Sequence, residues 1–290
     1  MALLEAPRLL IVTDFDGTLA PISLDPLDAA IEPAGRLALR RLARIAERRP
    51  ERLAVVVLSG RTAIDVAGRV RVGGLSYLGN HGVEAGSLAR GARAEGLAVG
   101  VEPSLEPFVE PAGVLAVVVS DRLGRPDWLF VEHKGPSIAF HFRQAADADA
   151  AREALLGAIA AAEREAGGTG LVRLEGRKVV ELRPAGAAGK GAAMRRLLRR
   201  ERPAAVLVLG DDRSDAEAFE AVVEERRRGS LAGLTVGVHG AGETPPEITA
   251  AADVELPTPR DAARLLAAVA AALERERPAA AGRRGAVSGR

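Results

Sequence analysis

The sequence predicts an α/β fold, in which a doubly wound parallel sheet carries an inserted α+β segment. Short apolar runs without polar alternation recur along the chain, and amphipathic helical stretches separate several of them. This alternation of strand and helix favours parallel strands with helices on both faces. In the middle of the chain the pattern changes to pairs of short runs in which polar and apolar residues alternate, and each pair indicates a hairpin. A chain of 290 residues is long enough for one large domain or two smaller ones.

The parallel sheet is predicted from five buried-type runs, each of which ends in a polar or glycine-rich turn. These runs are residues 9–13, 53–58, 75–78, 206–209 and 234–238. Four helical stretches accompany them, at residues 33–48, 62–70, 191–200 and 214–227.

The inserted segment is predicted from two strand pairs that share one plan. "DWLFVEHKGPSIAFHFR" and "GLVRLEGRKVVELRP" each read as two strands around a turn, and a helix at 148–166 lies between them. The stretch "GVLAVVVSDRL" precedes the first pair and is compatible with helix or strand. We therefore predict a core domain from residues 1–100 and 185–277, and an inserted domain from 101–184 that uses a helix–two-strand unit twice. Residues 278–290 lack periodicity and are expected to form a disordered tail.

Composition excludes several classes of function. The net charge is +1, from 40 basic and 39 acidic residues, which gives no general attraction to nucleic acid or anionic membranes. The absence of cysteine excludes disulfides, thiol nucleophiles and cysteine-ligated zinc. No signal peptide and no apolar run of membrane-spanning length is recognised, so we expect a cytoplasmic location.

Two aspartates follow the first predicted strand directly. In "LLIVTDFDGTLAPI", Asp14 and Asp16 lie at or just past the carboxyl end of a buried run. Open parallel sheets bind ligands at this edge, and two close carboxylates repel each other unless a cation lies between them. The stretch therefore indicates an acidic metal site. The alternative is an Asp-rich turn without chemistry.

Further polar groups follow other predicted strands or begin helices. Ser59, Gly60 and Arg61 follow the second strand and could bind a phosphate oxygen, although a helix N-cap is the simpler interpretation. Lys190 stands between two glycines at a helix start, where it could pair with a phosphate or remain solvated.

A second acidic group follows the strand at 206–209, in "AVLVLGDDRSDAEAF". Asp211, Asp212 and Asp215 could hold a cation, and helix capping explains one or two of them. The order of the four polar groups favours phosphoryl transfer to an aspartate with Mg²⁺ as cofactor. In this interpretation Asp14 attacks phosphorus, while Asp16 protonates the leaving oxygen and then deprotonates water.

The same motifs carry a family resemblance. "DFDGTL", "LSGR", "GKG" and "GDDRSD" resemble the four motifs of the haloacid dehalogenase superfamily of phosphohydrolases, in order. "YLGNHGVE", "VEHKGPSIAFHFR", "GRKVVELRP" and "GDDRSDAEAF" resemble trehalose-6-phosphate phosphatases, and the resemblance runs from about residue 8 to residue 273. It implies a Rossmann-like parallel-sheet hydrolase core with an inserted αββαββ cap domain.

The resemblance also implies roles for individual residues. Asp14 would be the nucleophile and a Mg²⁺ ligand, and Asp16 the acid/base that binds Mg²⁺ through its carbonyl. Asp211 would bind the metal directly, with Asp212 or Asp215 acting through water. The phosphoryl group would be held by Ser59, Gly60 and Lys190. The sugar would be recognised by Glu132, Lys134, Arg143, Lys178 and Glu181. Arg61, Asn80 and His81 lie in matching motifs of the core.

Two positions depart from the family pattern, and several alternatives stay open. Gly189 stands where the family usually has an acid or amide, and Ser214-Asp215-Ala216 replaces Thr-Asp-Glu.

The alternative functions are a phosphatase for sucrose phosphate or mannosylglycerate phosphate, a catalytically silent sugar-phosphate sensor, and a phosphotransferase. The charged residues of the cap could also be only the solvent face of a hairpin. The expected enzyme is a monomer of trehalose biosynthesis that acts on a small sugar phosphate made by a separate trehalose-6-phosphate synthase.

Overall fold

The computed structural model describes residues 2–23, 28–176, 178–185, 189–239 and 244–275, which form two β-sheets with helices packed against them. The predicted disordered tail at 278–290 lies outside the described residues. The strands, in chain order, are β1 (Leu9–Thr13), β2 (Leu53–Leu58), β3 (Leu75–Gly79), β4 (Glu84–Leu88), β5 (Val99–Val101), β6 (Phe130–Lys134), β7 (Ser137–His141), β8 (Leu171–Gly176), β9 (Val179–Pro184), β10 (Ala205–Gly210), β11 (Ala232–Val238) and β12 (Val254–Leu256). The helices are α1 (Ala2–Glu5), α2 (Pro33–Arg48), α3 (Ala63–Val70), α4 (Val109–Arg122), α5 (Ala148–Glu165), α6 (Lys190–Glu201), α7 (Arg213–Arg227), α8 (Pro246–Ala251) and α9 (Pro259–Arg275).

The larger sheet has the strand order β12-β11-β10-β1-β2-β3-β4-β5. The strands from β12 to β3 are parallel, and β4 and β5 add antiparallel pairs at one edge. From β1 the chain moves outward through β2 and β3, and it returns on the other side at β10. The carboxyl ends of β1 and β10 therefore meet at the switch point where open α/β sheets bind ligands.

Both faces of the larger sheet are buried, which explains the continuous apolar runs of its central strands. Leu9 and Ile11 of β1 pack into one core with α2, α3 and α9. Leu10 and Val12 pack into a second core with α6 and α7. Because alternate residues of β1 serve the two cores, the strand is apolar from Leu9 to Val12, and the buried Thr13 is its only polar residue before Asp14.

The smaller sheet has the order β6-β7-β9-β8, and all its neighbouring strands are antiparallel. Helices α4 and α5 pack against it, with Ala116 and Leu155 contributing to a core that includes Phe140 and Leu182. The order α4-β6-β7-α5-β8-β9 is the predicted αββαββ plan, and the stretch that could have been helix or strand belongs to helix α4. The predicted fold class is confirmed, and the exact domain boundaries stay a prediction.

Several elements agree with the prediction to the residue, and others were missed. Strands β1 and β2 and helix α2 have the predicted bounds. The sequence interpretation did not identify β4, β5 or β12, which lie at or near the sheet edges and lack a long apolar run. None of the described helices is long and apolar enough to cross a membrane.

Candidate active site

Asp14 and Lys190 form a buried ion pair at the carboxyl edge of the larger sheet. Asp14 follows β1, and its N–H donates to the Leu209 carbonyl at 3.0 Å. The backbone of Asp14 therefore remains hydrogen-bonded to β10. Lys190 begins α6, and its Nζ lies 2.8 Å from an oxygen of Asp14 and 2.8 Å from an oxygen of Asp215. Burial alone would lower the pKa of Lys190, but the aspartates around it raise the pKa above its usual value. The lysine is therefore a fixed positive charge beside Asp14.

Three buried carboxylates converge at this point. Asp14, Asp211 and Asp215 each offer an oxygen, and these oxygens all lie within 4.8 Å of one another. If all three were ionised, Lys190 would compensate one of three negative charges. Burial, opposed by Lys190, raises the pKa of Asp14 and of Asp215, and burial together with Asp14 raises the pKa of Asp211 to about 8. Carboxylate oxygens in this arrangement suit a hard divalent cation, which would balance the two remaining charges.

Asp211 is oriented by the loop that follows Asp16. The Thr18 hydroxyl donates to Oδ1 of Asp211 at 2.9 Å. Gly17 has a φ of 75°, and a Cβ at this position would lie 1.9 Å from Oδ2 of Asp211. In the "DGT" sequence, the glycine therefore leaves space for the carboxylate of Asp211, and the threonine hydroxyl donates a hydrogen bond to it.

Asp212 and Asp215 also cap helix α7. The Asp212 side chain accepts from the Asp215 N–H at 3.0 Å, and the Asp215 carboxylate accepts from the Asp212 N–H, which completes a capping box. The Ser214 hydroxyl donates to Asp212 at 2.7 Å. The capping interpretation thus applies to both residues, but Asp215 additionally contacts Lys190 and belongs to the carboxylate cluster. The Asp212 side chain is 55% exposed and lies 4.0 Å from Lys190.

Asp16 lies beside the cluster but forms its own ion pair. Arg61 donates from Nε and Nη2 to the two oxygens of Asp16, both at 2.7 Å. Another nitrogen of Arg61 donates to Asp65 at 2.9 Å. Arg61 also lies over the ring of Phe15, 5.7 Å from its centroid. The predicted acid/base is therefore held by a guanidinium in this conformation.

Ser59 does not cap helix α3, because Thr62 occupies that position. The Thr62 hydroxyl accepts from the Asp65 N–H at 3.2 Å. Ser59 is buried, and its hydroxyl oxygen accepts from the Arg61 N–H at 3.2 Å. The Ser59–Arg61 loop is thus held in place independently of the helix end, and Gly60 lies at the cavity surface.

The turn of Asn80 and His81 packs against this loop. Both residues have positive φ, 47° and 57°, which is uncommon for residues other than glycine. Their N–H groups donate to the carbonyls of Arg61 and Ser59 at 2.8 and 2.9 Å. Burial and the charge of Lys190 lower the pKa of His81, so its imidazole is neutral near pH 7.

Two cavities open from this turn, and His81 lines both. The first, about 490 Å³, is lined by the predicted catalytic residues Asp14, Asp16 and Lys190 and by the predicted metal ligand Asp211. The second, about 680 Å³, lies between the two sheets and has a volume typical of small-molecule sites. Its lining includes five ionisable residues from the strands of the smaller sheet: Glu132, His133, Lys134, Glu181 and Arg183.

Glu132 and Glu181 share one face of the smaller sheet. Ala139 of β7 pairs with Glu132 on one side and with Glu181 on the other, and directly paired residues point to the same face. Glu132 accepts from Nε2 of His141 at 2.9 Å and lies 3.4 Å from Nζ of Lys134. The hydrogen bond from His141 and the charge of Lys134 lower the pKa of Glu132. An ionised acceptor therefore faces the second cavity.

The structure does not bring Arg143 and Lys178 to this cavity. Both are exposed and lie past the ends of β7 and β9 that are remote from Gly135, which lines the cavity. The Lys178 carbonyl accepts from the Phe142 N–H at 3.1 Å, which fixes this remote position. Since a strand rises about 3.3 Å per residue, the length of β7 separates them from the cavity end. This conformation therefore does not place them with Glu132 and Glu181, and their contact with a sugar stays a prediction.

The cavity also contains residues that the sequence interpretation missed. Arg183 lies two residues after Glu181 on β9, so the alternation of the strand could have identified it. Glu84 accepts from the Asn80 amide at 2.5 Å and from the Ala63 N–H at 2.7 Å. Nothing local marked Glu84, because its position depends on the antiparallel return of β4 along β3.

The departure at position 189 has a steric reason. Gly189 precedes Lys190, and a Cβ there would lie 2.3 Å from Oε2 of Glu217 on α7. A side chain at position 189 would therefore have to displace the carboxylate of Glu217.

Comparison with known proteins places this geometry in a family. The family model described as trehalose-phosphatase matches residues 12–248. The chain is 38% identical over 225 residues to the trehalose-phosphate phosphatase of Mycobacterium marinum, covering 76% of this chain and 53% of that protein. It is 39% identical over 229 residues to the trehalose-phosphate phosphatase of Mycobacterium avium, covering 77% and 52%. The chain thus spans about half the length of the curated relatives it matches.

Solved structures show the same fold. The trehalose-6-phosphate phosphatase of Aspergillus fumigatus aligns with a TM-score of 0.63 at 23% identity, covering 93% of this chain and 96% of that one. The C-terminal domain of trehalose-6-phosphate phosphatase from Candida albicans aligns with a TM-score of 0.52 at 20% identity, covering 92% and 93%.

Proposed function

The chain belongs to the trehalose-phosphatase family, and we propose that it hydrolyses trehalose 6-phosphate to trehalose and phosphate. The observation that carries the proposed reaction is the position of Asp14. It is buried beside a charged lysine and two further carboxylates, and it opens into a cavity. This environment supports a nucleophilic carboxylate and a bound phosphate.

The proposed reaction has two steps on Asp14. In the first, an Asp14 oxygen attacks phosphorus, the P–O bond to the sugar breaks, and Asp16 gives its proton to the departing sugar oxygen. In the second, Asp16 takes a proton from water, the water oxygen attacks phosphorus, and the bond between phosphorus and Asp14 breaks. Phosphate then leaves, and both aspartates return to their starting state.

Residues of this chain prepare both steps. Lys190 favours the ionised form of Asp14 and offers a positive charge to the phosphoryl oxygens. Gly60 and Arg61 line the same cavity, and Arg61 can pair with either Asp16 or the substrate phosphate. Because Asp16 must exchange its proton, its ion pair with Arg61 has to open when substrate binds.

A divalent cation fits the carboxylate cluster, and we assign it to Mg²⁺. Asp14 and Asp211 would hold it directly, together with the Asp16 carbonyl, and Asp215 or Asp212 would support it through water. When bound, Mg²⁺ offsets the repulsion between the anionic nucleophile and the anionic phosphate.

The sugar would occupy the cavity between the two sheets. Glu132, Lys134 and Glu181 offer acceptors and a donor for hydroxyl groups, and Asn80 and His81 line the same cavity from the core side. These polar groups suit a disaccharide, which presents hydroxyls on most faces. A monomeric, cytoplasmic enzyme that receives its substrate from a separate synthase stays a prediction.

Phosphate release from a panel of sugar phosphates tests the proposal. We expect trehalose 6-phosphate to have the highest kcat/KM, with activity lost in EDTA and restored by Mg²⁺. Calcium should not replace Mg²⁺, because its larger and looser coordination shell would misplace the nucleophile. Preference for sucrose 6-phosphate or mannosylglycerate phosphate would contradict the substrate. Absence of any turnover with Mg²⁺ would contradict the enzyme and favour a sensor.

A further inference from the structure

A buried arginine outside the proposed chemistry lies on α6, the helix that begins with Lys190. Arg196 is 8% exposed. Its Nη2 donates to the Gly82 carbonyl at 2.9 Å, and its Nε lies 3.4 Å from Oε2 of Glu102. A buried guanidinium is costly unless its partners compensate its charge and its donors. Its two partners therefore indicate what Arg196 connects.

The first partner belongs to the turn that lines both cavities. Gly82 ends the turn of Asn80 and His81. A Cβ on Gly82 would lie 2.3 Å from Cβ of Ala193, so the turn packs directly on α6. The hydrogen bond from Arg196 therefore fixes the His81 turn relative to the helix that carries the catalytic lysine.

The second partner starts the linker that leads from the larger sheet to the smaller one. Glu102 follows β5 and is 6% exposed. Its N–H donates to the Val83 carbonyl at 2.9 Å, and its carbonyl accepts from the Leu105 N–H at 2.8 Å. Its carboxylate accepts from the N–H and the hydroxyl of Ser104. The backbone and the side chain of Glu102 are thus both anchored at the point where the chain enters the inserted unit.

We propose that Arg196 is a positioning residue that joins the His81 turn and this first linker to the helix of Lys190. One guanidinium thereby sets the distance between the phosphate end and the sugar end of the substrate site. The role rests on the proposed function, since it matters only for a substrate that spans both cavities. Correct placement of such a substrate relative to the nucleophile lowers the barrier to reaction.

The test compares a long and a short substrate on three variants. Arg196→Met removes the positive charge. Arg196→Lys retains the charge but lacks the several N–H donors of the guanidinium. Glu102→Gln removes the anionic partner. For trehalose 6-phosphate, kcat/KM should fall roughly 10- to 100-fold in Arg196→Met and less in the other two. For p-nitrophenyl phosphate, which does not reach the second cavity, the change should stay within about threefold.

Glu201→Gln is the matched control, because Glu201 ends the same helix and pairs with Arg8 at 2.6 Å, away from both cavities. It should leave the ratio of the two substrates unchanged. Equal losses on both substrates in the Arg196 variants, or no loss on either, would overturn the proposal. If Arg196→Met does not fold, Arg196→Lys and Glu102→Gln carry the comparison.

Hydrogen–deuterium exchange gives a readout that does not depend on activity. Amides of residues 79–83 and 102–105 should exchange faster in Arg196→Lys and Glu102→Gln than in the wild type, and not in Glu201→Gln. Unchanged exchange in both segments would overturn the positioning role. If the wild type prefers another sugar phosphate, the proposed function fails, and the same ratio measured with that substrate still decides the role of Arg196.

Discussion

Arg61 contacts both carboxylate oxygens of Asp16, each at 2.7 Å. The pair has a consequence for the proposed chemistry, because the guanidinium engages both carboxylate oxygens of Asp16 and leaves neither free to act on the substrate. The incoming phosphate offers Arg61 another anion, so substrate binding can release Asp16. Arg61 would then alternate between the acid/base and the substrate.

The aspartates that follow β1 should have separable roles. Asp14→Asn should abolish turnover with the fold retained, because an amide cannot attack phosphorus. Asp16→Asn should slow turnover by roughly 10²–10⁴-fold, as expected for the loss of general acid–base catalysis. Steady-state phosphate release, with circular dichroism to confirm folding, measures both effects.

Asp65→Asn is the control for the Asp16 variant. Asp65 is the other carboxylate partner of Arg61, so its loss perturbs the guanidinium without removing the acid/base. We expect a loss of less than about tenfold. Near-normal turnover of Asp14→Asn would show that the covalent route through this residue is wrong.

Binding of Mg²⁺ should be coupled to release of a proton from Asp211. Burial and the nearby Asp14 raise the pKa of Asp211 to about 8. A carboxylate must lose its proton to bind a cation, so below this pKa the affinity should rise with pH by up to about tenfold per unit. Calorimetry in two buffers of different protonation enthalpy measures the proton count. An affinity that is independent of pH between about 6 and 8 would contradict this coupling.

The same raised pKa sets the sign of the stability change in metal-free protein. The folded chain binds this proton more tightly than the unfolded chain, whose Asp pKa is about 3.9. The contribution of Asp211 to the free energy of unfolding is therefore present at low pH and is lost as the pH rises through about 8. Mg²⁺ should offset this loss. Asp147→Asn serves as a control, because Asp147 caps α5 and is not one of the three clustered carboxylates.

Gly17→Ala should inactivate the enzyme by displacing Asp211. The new Cβ would overlap Oδ2 of Asp211 at 1.9 Å, in addition to the strain of a φ of 75°. Gly91→Ala is the matched control, since Gly91 has a φ of 81° and nothing lies within 4 Å of the place where a Cβ would be. The control should lose only about 1–2 kcal/mol of stability, with normal Mg²⁺ dependence. Equal activity of the two variants would contradict the role of Gly17.

The sequence predicted the strand ends better than the contacts of their side chains. Asp14 and Asp211 were identified because each follows a run that is buried on both faces, and this pattern is local. The Arg61–Asp16 pair was not predicted, since it depends on how two loops from different strands meet. The separation of Arg143 and Lys178 from the cavity was not predicted for a related reason: alternation predicts the face of a strand but not which end of the strand reaches the cavity.

The cap residues give the most direct test of substrate recognition. Glu132→Ala or Glu181→Ala should lower kcat/KM for trehalose 6-phosphate by roughly 10- to 100-fold, because each leaves buried sugar hydroxyls unpaired at about 1–3 kcal/mol. p-Nitrophenyl phosphate should be almost unaffected, since it does not extend between the sheets. Arg143→Ala and Lys178→Ala are matched controls on the same strands, and their remote, exposed positions predict near-normal kinetics on both substrates. Equal losses of Glu132→Ala on the two substrates would assign it to the fold. A strong loss confined to trehalose 6-phosphate in Arg143→Ala would show that Arg143 contacts the sugar, in contradiction to its remote position.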